Sequence, residues 1–192
     1  MARQSTRLGL TVEWSRPGFE TLGFTGWKTF GELTKNDLPR DRGVYVVMTS
    51  PTEDVPVFLS TTVAGTHKGK SLAVEPALLS SAWRRGAEVL YIGKAGGARG
   101  LRDRLWAYAK QGRGRPAGHQ GGRYIWHLPE SQDLVVAWRA TPDHDSHDIE
   151  EALLSLFIED HGDRPFANLK DGYRYTAKEA LELLAGWSLP SS

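Results

Sequence analysis

The chain has 192 residues, no cysteine, 40% hydrophobic and 24% charged residues, and a formal net charge of +1. That composition fits one globular domain able to bury a core without covalent staples, and argues against disorder or a fibrous repeat. It excludes a disulfide framework, a thiolate zinc site, a cysteine nucleophile and an iron–sulfur cluster, and no apolar run is long enough to span a membrane.

The first residues, Met1 to Ser5, lead into no apolar stretch of signal-peptide length. With the lack of cysteine, this gives the expectation of a cytoplasmic protein. Residues 8–14 and Gly43–Met48 read as strands. Residues 50–70 are rich in Pro, Thr, Gly and Ser and read as a loop or lid. Residues 87–92 predict a third strand, ended by Gly93, and residues 101–110 a helix. Five glycines and a proline over residues 111–122 predict a loop. Residues 124–128 are too short a run to separate helix from strand. Residues 134–138 predict a fourth strand before a turn at Pro142, and residues 149–160 a helix. A last helix is predicted over residues 177–184, opened by Thr176 and Glu179 at capping-box spacing. A frayed tail is expected from residue 187 to residue 192.

Charge is segregated along the chain. Between Arg84 and Arg123 ten Lys and Arg stand against two acids; between Asp143 and Glu182 eleven acids stand against four Lys and Arg. Trp83, Tyr91, Trp106 and Tyr108 flank or interleave the basic block. Basic residues with aromatics are the footprint of a polyanion partner, usually nucleic acid. The plainer reading is a solvated basic face paired with the acidic segment.

Two helices carry polar residues beside their apolar faces. At roughly 100° per residue, Glu150 falls within the apolar arc of Ile149, Leu153, Leu154 and Phe157, whereas Glu151 falls beside Ser155 and Glu159 and reads as solvated. A core-facing carboxylate needs a cation, a metal or a hydrogen-bond set. It is either a buried ion pair with an arginine of the basic block or a metal ligand or acid–base group at a cleft. In the helix over residues 101–110, Leu101, Leu105, Tyr108 and Ala109 form the buried stripe, with Arg104 at its edge. A half-buried guanidinium beside a phenol suits a phosphate. Arg102, on the far side near Trp106, reads as a surface arginine.

Other motifs fall short. Residues 93–100 are glycine-rich but lack the closing Gly-Lys-Ser/Thr of a P-loop. Their amides still suit a phosphate. His144 and His147 stand three apart among Asp143, Asp145 and Asp148, a set that could hold a metal, but their Pro142 context suggests a solvated loop leading into a helix.

Gly43-Val44-Tyr45, then Tyr91-Ile92-Gly93-Lys94-Ala95, then Leu101-Arg102-Asp103-Arg104-Leu105 with Tyr108, resemble the GIY-YIG nuclease domain. Ile149-Glu150, Leu153-Leu154 and Pro165-Phe166-Ala167-Asn168 resemble that family's helix-borne glutamate and later asparagine. The resemblance runs from Gly43 to Asn168. It implies an α+β fold with a small three-stranded antiparallel sheet flanked by helices. It also implies Mg²⁺-dependent hydrolysis of phosphodiester bonds in DNA, with Mn²⁺ as a substitute ion. On this resemblance Tyr45 and Tyr91 line the site, and one of them helps activate the attacking water. Lys94 matches a lysine near the second tyrosine, and Arg104 the arginine held on the scissile phosphate. Tyr108 matches a Tyr or His position, Glu150 the metal ligand, and Asn168 the supporting asparagine. The family's glutamate precedes apolar residues at the third and fourth positions after it, which selects Glu150 over Glu151. His119, within His119-Gln120-Gly121-Gly122-Arg123, resembles a histidine of restriction-type members that reaches the site.

The expected layout is an N-terminal extension over residues 1–40 that packs on the core and matches no named module, followed by a nuclease-like domain over residues 41–186. The two tyrosines stand farther apart than in the family's usual hairpin, so residues 51–85 form an insertion between the first two core strands. Val44 in the first motif is a harmless exchange. Arg99, Arg102, Lys110, Arg113, Arg115 and Arg123 are the candidate DNA-backbone contacts. A phenol that ionises near pH 10 is a poor base at neutral pH, so it needs a neighbouring cation, Lys94 or Arg104. The function expected is a metal-dependent DNA endonuclease with DNA as partner and no membrane association; nothing in the sequence sets an oligomeric state. The alternatives are a non-catalytic nucleic-acid-binding module that retains the fold, and a structural protein in which Glu150 pairs with Arg104.

Overall fold

A computed structural model describes residues 5–7, 10–67, 69–115, 122–170 and 174–188. A short hairpin, β1 (Ser5–Arg7) and β2 (Leu10–Val12), precedes α1 (Arg16–Thr21) and β3 (Thr25–Thr29). After a 3-10 turn at Lys35–Asp37 come β4 (Gly43–Met48), the small β5 (Thr66–His67) and β6 (Lys70–Ser71) hairpin, and α2 (Pro76–Ala82). Then follow β7 (Val89–Ala95), α3 (Gly100–Gly112), a 3-10 turn at Arg123–His127, β8 (Val135–Ala140), α4 (Ser146–His161) and α5 (Ala177–Ser188).

The fold is α+β around an antiparallel sheet ordered β3-β8-β4-β7. The sheet has four strands, where three were expected, and the added strand comes from the N-terminal segment. In β3 the sequence signal is broken by a register shift between Thr25 and Lys28, with Trp27 at φ 45°. Such a bulge hides the period of two that marks a strand. The central strand β4 is Gly-Val-Tyr-Val-Val-Met, buried at all six positions. β-Branched and aromatic residues suit a strand covered on both faces.

Alternation along β4 sends Tyr45 and Val47 to one face and Val44, Val46 and Met48 to the other. The first face meets Leu101, Leu105, Tyr108 and Ala109 of α3, with Trp126 and Trp138. The second meets Ile149, Ala152, Leu153 and Leu156 of α4 and Leu181, Leu184 and Trp187 of α5. Asp145 caps α4 by accepting from the His147 amide at 2.8 Å. α5 opens with both halves of the expected capping box, Thr176 N–H to Glu179 at 2.8 Å and Glu179 N–H to Thr176 at 3.3 Å.

Two expectations need correction. Gly93 does not end β7, which runs on to Ala95 because Gly93 still pairs with Tyr45. The end of α5 is not a tail at residue 187. Trp187 is buried against Phe24, and the Arg139 guanidinium lies 3.8 Å above its ring. The segment over residues 51–85 packs on the core. Phe58 and Trp83 are buried against Phe166, with ring centroids 5.5 and 5.1 Å away. Among the described residues no helix is long and apolar enough to cross a membrane.

Candidate active site

The β4–β7 pair brings Tyr45 and Tyr91 together over Gly93. A Cβ on Gly93 would lie 2.6 Å from both Tyr45 Cζ and Tyr91 Cε1. The glycine is therefore the floor on which two phenols lie, their ring centroids 5.9 Å apart. Tyr108 closes the triangle from α3 at 6.4 Å from Tyr45 and 5.8 Å from Tyr91. Its hydroxyl donates to the Gly122 carbonyl at 2.7 Å, so it is a buried wall of the site.

Arg104 flanks the buried stripe of α3 and reaches both phenols through side-chain hydrogen bonds. Its Nε is buried with no hydrogen-bond partner among the described residues. Burial pushes Tyr45 well above the usual phenol range. The neighbouring Tyr91 adds to this, Arg104 offsets part of it, and the Glu150 charge pushes further upward. Burial also raises Tyr91, again with Arg104 opposing and Glu150 adding. Burial pulls Arg104 down, but the two phenols outweigh it and leave the guanidinium above its ordinary value. The resting site therefore holds two neutral phenols and a firmly charged arginine. The neighbouring cation does not pre-ionise either tyrosine.

The other part of the site is the first turns of α4. Lys94 leaves β7 on the opposite side from Tyr91, since Tyr91 and Ala95 face α3 and Ile92 faces α4. Its ammonium pairs with Glu150 at 2.7 Å and contacts His147 Nδ1. Glu150 therefore pairs with a lysine, and neither with Arg104 nor with any other arginine among the described residues. His147 lies 3.7 Å from Glu150 and 3.9 Å from Glu151. One ligand atom from each of the three falls within 4.8 Å of the others.

Glu151 is not solvated: its side chain is 17% exposed, against 13% for Glu150. The wheel misplaced it because α4 is covered by the sheet on one side and α5 on another, so even Ser155 is buried. Two carboxylates and an imidazole at this spacing could hold a metal ion. Mg²⁺ prefers the oxygens, and the imidazole widens the choice toward later first-row ions. His147 and Glu151 were missed as partners of Glu150. The signal was there, since residues three and four after a helical histidine share its face.

Asn168 supports the edge strand. Its side chain accepts from the Ile92 amide at 3.0 Å and donates to the Ile92 carbonyl at 2.8 Å, as a neighbouring strand would. The Ala167 amide adds a bond to the Leu90 carbonyl at 2.8 Å. These contacts close the free edge of β7 and occupy the amide's strongest hydrogen-bonding positions.

Three of the remaining basic candidates are engaged elsewhere. Arg113 donates to the carbonyls of Phe30, Gly31 and Leu33 and lies over Trp106, tying α3 to the N-terminal segment. Arg102 donates through Nε to the Leu38 carbonyl at 2.7 Å, and Arg99 pairs with Asp103 at 3.1 Å. Lys110 and Arg123 are half-buried and Arg115 is exposed. His119 lies outside the described residues.

Compared with protein-family models, curated proteins and solved structures, the chain matches none.

Proposed function

We propose that the chain is a divalent-metal-dependent endonuclease that hydrolyses phosphodiester bonds in DNA, built as a GIY-YIG-type domain. Its strongest support is the position of Arg104, a half-buried cation in hydrogen-bonding contact with two phenols over a glycine floor. A phosphate there would meet a planar donor fork in a low-dielectric wall.

Hydrolysis adds water to phosphorus, breaks one P–O ester bond and leaves a phosphomonoester and a free hydroxyl. Arg104 binds the phosphoryl oxygens and stabilises the charge that builds on them. Tyr45 and Tyr91, held neutral by burial, donate hydrogen bonds that orient the attacking water or the phosphate. Glu150, with Glu151 and His147, would hold the divalent cation, which when bound supplies charge relief at the leaving oxygen. Lys94, paired with Glu150 at 2.7 Å, offsets the charge of that carboxylate. Asn168 keeps β7 straight beneath Tyr91 and Gly93. The cytoplasm, which contains DNA and accommodates a cysteine-free chain, is the matching location.

The second reading, a non-catalytic nucleic-acid-binding module, draws on the Lys94–Glu150 ion pair, which neutralises the carboxylate internally. Nicking of supercoiled plasmid with Mg²⁺ or Mn²⁺ against EDTA separates the two. Metal-dependent nicking supports the nuclease, and binding without nicking in any divalent ion supports the module.

A further inference from the structure

The N-terminal segment and the outer flank of α3 line an open cavity of about 550 Å³, on the other side of the helix from Arg104. Its lining carries four cations, Lys35, Arg40, Arg99 and Arg102, and one acid, Asp103, which Arg99 engages at 3.1 Å. Lys35 and Arg40 are exposed and have no ion-pair partner among the described residues. Arg102 uses Nε on the Leu38 carbonyl, leaving both Nη groups without a partner among the described residues.

The walls are fixed. The amides of Leu101 and Arg102 at the start of α3 donate to the carbonyls of Asp41 and Pro39, each at 2.8 Å. Gly100 sits at φ 55°, and a Cβ there would lie 2.1 Å from the Arg40 carbonyl oxygen. Only glycine allows this approach, and the clamp holds Arg40 beside Arg102. Because these helix-end amides are already satisfied, any anion here is met by side chains.

We propose that this cavity is a second phosphate-binding subsite, which grips the nucleic-acid backbone on the flank of α3 opposite Arg104. A concave surface with a three-charge excess of cations concentrates anions, and guanidinium forks match phosphate geometry. Among the described residues the lining has no aromatic ring and Ala98 as its one apolar residue, so it offers no surface on which a base could stack. That selects a phosphodiester backbone over a free nucleotide. A helix with its side chains is about 10–12 Å across, well beyond the axial rise of about 3.4 Å between neighbouring phosphates of one strand, so the two sides of the helix meet different phosphates. One strand crossing the start of α3 thus places one phosphate at Arg104 and another in the cavity. Lys35 and Arg40 lie outside the stretch that resembles a nuclease domain.

The inference rests on the nucleic-acid reading above, but its test needs no cleavage. Binding of a labelled DNA duplex is measured against salt, in Ca²⁺ and in EDTA. The full chain is compared with Lys35→Ala/Arg40→Ala and with a charge-matched control, Arg16→Ala/Lys178→Ala. The cavity variant should bind about tenfold more weakly, with a log–log salt slope smaller by about 0.9 for each phosphate no longer neutralised. The control should match the wild type. Melting temperatures confirm that both variants fold, and Lys35→Glu/Arg40→Glu should deepen the loss.

Equal losses in the cavity and control variants would reduce the effect to net charge and overturn the inference. So would an unchanged slope, or a wild type that shows no salt-dependent binding. Inorganic phosphate binding at the cavity without duplex binding would overturn it in favour of a small-anion site. Cavity-dependent binding with no cleavage in any metal would keep the subsite and discard the nuclease reading.

Discussion

Gly93 stands directly opposite Tyr45 in the β4–β7 pair, and the space its missing side chain leaves is filled by the Tyr45 and Tyr91 rings. Gly93→Ala forces a methyl carbon into both rings at 2.6 Å. Backbone on one side and a packed aromatic cluster on the other allow little relief. The expected cost is about 1–3 kcal/mol of stability, as for other overpacked sites, read as a lower urea midpoint. The phenols should also move off Arg104, so the folded fraction should cleave poorly. An unchanged midpoint with full activity would contradict this geometry.

The two adjacent glutamates should behave differently but neither should be silent. Glu150→Gln removes the carboxylate that pairs with Lys94, and should abolish metal-dependent cleavage while DNA binding persists. Glu151→Gln leaves Glu150 and His147 in place. It should raise the Mn²⁺ concentration needed for half-maximal cleavage by about tenfold or more, with near-normal rates at saturating metal. Metal titrations of both variants, by cleavage and by calorimetry, check this. Wild-type metal dependence in Glu151→Gln would remove it from the donor set.

Burial of the tyrosine triangle has a consequence at high pH. Tyr45 and Tyr108 titrate well above the ordinary 10.0 in the folded protein, and Tyr91 is raised too. The unfolded chain gives up these protons near pH 10, whereas the folded chain keeps them. Stability is therefore unaffected below about pH 10 and falls as pH rises toward the folded-state values. In an alkaline titration followed by phenolate absorbance, three of the six tyrosines should ionise only as the protein unfolds. Smooth ionisation of all six with the fold intact would show the triangle to be open to solvent.

Asn168 should prove a brace. Asn168→Ala removes two buried hydrogen bonds to Ile92 and leaves that edge position of β7 unsatisfied. The expected loss is about 1–3 kcal/mol, with faster hydrogen exchange at Ile92. Unchanged exchange and stability would contradict the bracing role.

The sequence made β4 legible because all six of its residues are buried and β-branched or aromatic runs mark such strands. It made the start of α5 legible because Thr176 and Glu179 form a local cap. β3 was hidden because its partner, β8, lies far along the chain and its own period is broken at Trp27. Gly93 was misread as a stop because glycine signals a turn locally, whereas here the constraint comes from Tyr45 on another strand. Glu150 was legible from the helical wheel. Glu151 was not, because the cover that α5 gives to α4 is a tertiary fact. Lys35 and Arg40 carried no signal until the Gly100 approach brought them beside Arg102.

The most direct measurement is single-turnover cleavage by Arg104→Ala at saturating enzyme, paired with DNA binding in Ca²⁺. Losing one preorganised donor to the phosphoryl oxygens costs about 2.7–4 kcal/mol, or about 10²–10³ in rate. Affinity should fall far less, because other cations still hold the backbone. Arg104→Lys should remain slow, since a flexible ammonium cannot reproduce the planar fork that meets Tyr45 and Tyr91. Equal losses in binding and cleavage would make Arg104 a docking residue. Cleavage at the wild-type rate by Arg104→Ala would contradict the proposed site altogether.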